Sequence, residues 1–148
     1  MFETICVGYD GSDPSENAVR AACDLAKKYD ARVHIVHTPH PQTVAFAMGA
    51  VPGYNVAVTR PSPEEVAESA SGLIERAQAT AASVGVENVE TYVCHGDAAY
   101  VLTEYAKSVG ADLIVTGRRG LGNLSALFLG STALDVGKRA DCAHLTVK

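Results

Sequence analysis

TICVGYDGSDPSENAVRAACDLAKKYDARVHIVHT, residues 4–38, decides the fold. TICVGYD (4–10) is a short apolar run that breaks off in Asp and Gly, so it reads as a strand. DPSENAVRAACDLAKKYD (13–30) places Ala18, Ala21, Ala22, Leu25 and Ala26 on one helix face. Pro14 suits a first helical turn, with Asp13 as its N-cap. RVHIVHT (32–38) is a second strand. A strand, a helix and a second apolar strand imply a right-handed crossover between parallel strands.

The same alternation runs to the end of the chain. SPEEVAESASGLIERAQATAASVG (62–85) is a long helix that opens on a capping box, Ser62 with Glu65, and stops at Gly85. VETYVCH (89–95) is a third strand. AAYVLTEYAKSVG (98–110) is a helix with Asp97 as N-cap and Gly110 as stop. ADLIVTG (111–117) is a fourth strand, LGSTALDVGKRA (129–140) a last helix and CAHLTVK (142–148) a last strand. Residues 39–62 hold four of the six prolines and read as a long loop, with a helical turn at VAFAMGA (44–50). Loops of that length in compact domains tend to be functional or mobile. The expected architecture is an α/β fold: a doubly wound, five-stranded parallel sheet of order 3-2-1-4-5, with helices on both faces. A chain of 148 residues suits one domain, 1–148.

Composition narrows the class. Net charge is -5 with acidic and basic residues interspersed, so no nucleic-acid partner is expected. No apolar run approaches the roughly 20 residues that span a bilayer, and no membrane association is expected. MFETICVGYDGS has neither a basic start nor a long apolar stretch, so it does not read as a signal peptide, and a cytoplasmic location is expected. Cys6, Cys23, Cys94 and Cys142 include no CxxC pair and read as buried, reduced thiols.

In open parallel sheets, ligands bind beyond the C-terminal strand ends where the strand order reverses, here between strands one and four. Strand one ends in GYDGS (8–12) and strand four in TGRRG (116–120). Gly8, Tyr9, Asp10, Thr116, Gly117, Arg119 and Gly120 are therefore candidate site residues. The stretch GRRGLGNLSALFLGST (117–132) then leads into a helix. A helix N-terminus with glycines before it can cradle phosphate through backbone N–H groups, and Ser131 and Thr132 after Gly130 add hydroxyl donors. The spacing is neither GxxxxGK[ST] nor GxGxxG. On physical grounds alone, loop punctuation and phosphate cradle both fit. His34, His37 and His40 lie three apart, but strand neighbours at odd spacing diverge, and no metal site is expected. His95 beside Cys94 is read as structural for the same reason.

Gly117, Gly120, Gly130 and Ser131 complete G-x2-G-x9-G-[ST], and with ICVGYDGS at the first strand the chain resembles the universal stress protein family over its whole length. The resemblance implies a Rossmann-like fold of the adenine nucleotide alpha hydrolase-like kind and an ATP-binding regulatory domain of the cytoplasmic stress response. It implies that Asp10 meets the ribose, the backbone around Thr38 meets adenine, Gly117 and Gly120 line ribose and phosphates, and Gly130, Ser131 and Thr132 hold the phosphates. Mg2+ would accompany the triphosphate. A homodimer through the last strand (142–148) and an unknown protein partner are further implications. Ala98 stands where that family's Gly-Asp-Pro has proline. Ala143–Val147 replaces its usual apolar last strand, with His144 and Thr146 on one face. No general base and no Walker-type lysine is found, so catalytic residues are not expected. Three other readings remain: a nucleotide-free dimeric interaction module, an enzyme of related fold (a slow ATPase or a nucleotidyl transferase), and the same pocket taking AMP or cyclic AMP.

Overall fold

The computed structural model describes residues 1–40, 44, 49, 62–121 and 129–148. Its elements are β1 (Thr4–Gly8), α1 (Asp13–Tyr29), β2 (Arg32–His37), α2 (Pro63–Ser83), β3 (Val89–Val93), α3 (Ala98–Ser108), β4 (Leu113–Gly117), α4 (Ser131–Arg139) and β5 (Ala143–Val147). The strands form one sheet in the order β3-β2-β1-β4-β5, and every pairing is parallel. The expected topology is the observed one. Most of the 39–62 segment, including all of the turn read at 44–50 except Val44 and Gly49, lies outside the described residues, as do residues 122–128.

The apolar strands follow from their place in the sheet. β1, β2 and β4 are central and buried on both faces, so most of their positions are apolar, and Thr4, His34, His37 and Thr116 are buried polar exceptions. Alternation then divides their side chains between two cores. Ile5, Val7, Val33, Ile35, Leu113 and Val115 pack on α1 and α2. Cys6, Val36 and Ile114 pack on α3 and α4. Burying each such aliphatic side chain contributes about 1.5–3 kcal/mol. The edge strands β3 and β5 are largely exposed or half-buried.

The helix ends carry the chemistry read from sequence, with one correction. Ser12, not Asp13, is the N-cap of α1: its side chain accepts from the Ser15 N–H, and Asp13 is the first helical residue. Both residue types cap well, and Ser12 is the one held in place by Asp10. α2 has its full capping box, Ser62 with Glu65. Asp97 caps α3 through Tyr100 N–H. The thiols also divide: Cys6 and Cys23 are buried, but Cys94 and Cys142 lie just outside β3 and β5 and are partly exposed.

Candidate functional site

The C-terminal ends of β1 and β4 diverge over a cleft of about 400 Å³. Gly8, Tyr9, Asp10, Thr38, Thr116, Gly117, Arg119, Gly120, Gly130, Ser131 and Thr132 all line it. These residues come from four separate stretches of chain. The parallel sheet brings them together because it points all its strand ends the same way.

The glycines there serve close approach. A Cβ on Gly117 would meet the Arg119 carbonyl oxygen at 2.8 Å and the Pro14 carbonyl carbon at 2.9 Å. A Cβ on Gly120 would lie against Asp10 Oδ2, well inside any normal contact. A Cβ on Gly8 would stand 2.9 Å from Leu102 Cδ2, so Gly8 lets α3 pack across the sheet. Gly117, Gly120 and Gly130 are not among the residues with positive φ. Their role is room, and the unusual dihedrals that glycine also permits are not used there.

Asp10 is oriented by its neighbours. Its Oδ1 accepts from Ser12 N–H at 3.0 Å and from Ser12 Oγ–H at 2.5 Å. Oδ2 is thereby turned toward Gly120. Arg118, just after β4, is held from two sides: its N–H donates to the Val147 carbonyl, and its carbonyl accepts from Gly130 N–H. Gly130 is the N-cap of α4 and has no side chain to occupy the helix start. The first-turn amides that follow have no partner within the helix, and the Ser131 and Thr132 side chains are exposed. An anion at this point would meet amide donors, two hydroxyls and the positive end of α4.

Tyr9 is among the lining residues, yet its ring turns away into the core. The Tyr9 ring is 3% exposed and lies in the α1/α2 core. Its hydroxyl donates to Glu16 Oε1 at 2.5 Å, and burial with that carboxylate beside it raises the phenol's pKa. Glu16 also accepts from Arg76 at 3.0 Å and from Thr80 Oγ1 at 2.5 Å. Behind the cleft, His37 Nδ1 donates to the Tyr9 carbonyl at 2.8 Å. Burial lowers the pKa of His37, so the ring is held neutral. His34 turns to the other face, where Nδ1 lies 3.1 Å from Tyr105 Oη. The histidines do not converge, and among the described residues no cluster of three His, Cys, Asp or Glu could hold a metal ion.

Sequence reasoning missed a whole wall. Gly96, Asp97, Ala98, Ala99 and Leu102 bring the β3–α3 connection to the cleft, and Asp135 adds a carboxylate from α4. The signal was available, because β3 ends on the same side of the sheet as β1 and β4. Thr116 carries a second unforeseen contact: its Oγ1 lies 2.8 Å from His144 Nε2 on β5.

A family model described as the universal stress protein family matches residues 1–148. The chain is 35% identical over 149 residues to a universal stress protein of Thermus aquaticus, covering 100% of both. It is 33% identical over 152 residues to universal stress protein YxiE of Bacillus subtilis (strain 168), again covering 100% of both. A crystal structure of a universal stress protein in complex with cAMP matches with a TM-score of 0.73 at 26% identity, covering 99% of this chain and 97% of that one.

Proposed function

We propose, given that the chain belongs to the universal stress protein family, that it binds an adenine nucleotide in the cleft between β1 and β4 and acts as a nucleotide-responsive regulator in the cytoplasm. One observation carries the reading: two strand ends, a glycine-walled loop and the start of α4 line the same cleft. The relative in complex with cAMP supports the ligand class.

In this reading Asp10 Oδ2 accepts from a ribose hydroxyl, and the backbone at Thr38 meets adenine. Gly117 and Gly120 leave space for the sugar and phosphates. Gly130, Ser131 and Thr132 hold phosphate through amides and hydroxyls, with Arg119 supplying charge. The glycine spacing favours ATP, accompanied by Mg2+ that the phosphates themselves would hold. The cAMP-bound relative favours a cyclic nucleotide as the second reading. Neither reading requires hydrolysis. A homodimer through the free edge of β5 belongs to the same proposal, and sedimentation of a monomer throughout the micromolar range would count against it.

The test is calorimetric titration of nucleotide-stripped protein with ATP and Mg2+, AMP and cyclic AMP. Saturable binding is expected, and Gly130→Asp should abolish it by placing a carboxylate at the phosphate position. Absence of binding by all three nucleotides would refute the proposal.

A further inference from the structure

We infer that the cleft selects among nucleotides by charge, through Asp97 and Asp135, and prefers a singly charged nucleotide to a triphosphate free of divalent cation. The inference rests on the nucleotide reading of the cleft and goes on to say which nucleotide that cleft admits.

Among the described residues the lining carries three carboxylates, Asp10, Asp97 and Asp135, against one guanidinium, Arg119, and one imidazole, His40. Lys138 reaches Asp135 at 3.2 Å and offsets part of its charge, whereas Asp10 and Asp97 have no ion-pair partner among the described residues. Asp97 is exposed, and its Oδ1 is the cap acceptor for Tyr100 N–H.

The donors at the start of α4 are neutral amides and hydroxyls, well suited to one phosphate. Asp135 stands one turn after Ser131 on the same helix face. Charge added to a phosphate at the helix start therefore faces a carboxylate. A cyclic nucleotide brings one negative charge, and a metal-free triphosphate brings about four. Asp97 and Asp135 face solvent, so each extra like charge within about 8 Å of a carboxylate weakens binding about two- to threefold, and three extra charges together about tenfold. A divalent ion on the phosphates cancels much of that penalty.

The test uses the full chain, stripped of nucleotide, and the double variant Asp97→Asn/Asp135→Asn. Asparagine caps a helix as well as aspartate, so α3 keeps its start while the charge is removed. Affinities for cyclic AMP and for ATP are measured in chelator, then with Mg2+, by calorimetry. Cyclic AMP should bind the unaltered protein at least about tenfold more tightly than metal-free ATP. Either Mg2+ or the double variant should shrink that ratio by about fivefold or more, and so should high salt. Metal-free ATP binding as tightly as cyclic AMP would overturn the inference. So would a ratio that the double variant leaves unmoved. Failure of both nucleotides to bind would instead bring down the reading of the cleft, and the inference with it.

Discussion

Gly120 and Gly117 stand three residues apart and should fail in different ways. At Gly120 a methyl group would meet the free end of the Asp10 carboxylate, which can swing aside. Under the proposed function, Gly120→Ala is expected to fold normally yet lose at least about tenfold in nucleotide affinity, because the added methyl displaces the Asp10 carboxylate. At Gly117 the obstacle is backbone, Arg119 O and the Pro14 carbonyl carbon. Gly117→Ala should therefore cost about 1–3 kcal/mol of stability, as overpacking does. Paired thermal melts and titrations separate the two, and equal melting losses in both variants would sink the distinction. The sequence marked these glycines but could not say what each one avoids. Spacing alone does not reveal that Pro14, a hundred residues earlier, lies against Gly117. Tyr9 shows the same limit. It sits beside Asp10 in sequence, yet strand parity with Ile5 and Val7 sends its ring into the core.

Helices α1 and α2 meet through Glu16, a half-buried carboxylate with three donors on it: Tyr9 Oη, Arg76 and Thr80 Oγ1. Removing it orphans two buried hydroxyl groups and a guanidinium, so Glu16→Ala should destabilise by about 2–3 kcal/mol. In a chain of this size that is a fall of roughly 5–10 °C in melting temperature. Glu16→Gln keeps an acceptor for one hydroxyl and should lose less, and a melt showing the reverse order would contradict this account. The elements themselves were legible, because helix spacing, the capping box at Ser62 and the stops at Gly85 and Gly110 are local signals. Their ends were not. Strands read as reaching Asp10 and His95 stop at Gly8 and Val93, where the backbone turns toward the cleft. The Glu16 cluster was also invisible, since Arg76 lies 60 residues away in sequence.

Across the whole molecule, three histidines tie stability to pH. Burial is the largest cause lowering the pKa of His34, His37 and His144 below the ordinary value of 6.5. The unfolded chain takes up protons near that value and the folded chain resists them. Stability is therefore complete above pH 6.5 and is lost as pH falls from there toward the lowered folded values. The melting temperature should drop between pH 7.5 and 5.5, and a flat or rising profile would exclude this linkage.

The β1/β4 seam has a consequence for how the chain is made. Glu3 N–H donates to Asp112 Oδ2 across a sequence separation of 109. On the ribosome, β1, α1 and β2 can associate as soon as they emerge, since their contacts are local. The ligand cleft has no such early form. Until β4 has been synthesised, β1 presents an open edge, able to pair with strands of other nascent chains. Any ligand of the cleft is thus blind to the growing polypeptide. It can recognise and stabilise only the finished one, by mass action on the native state.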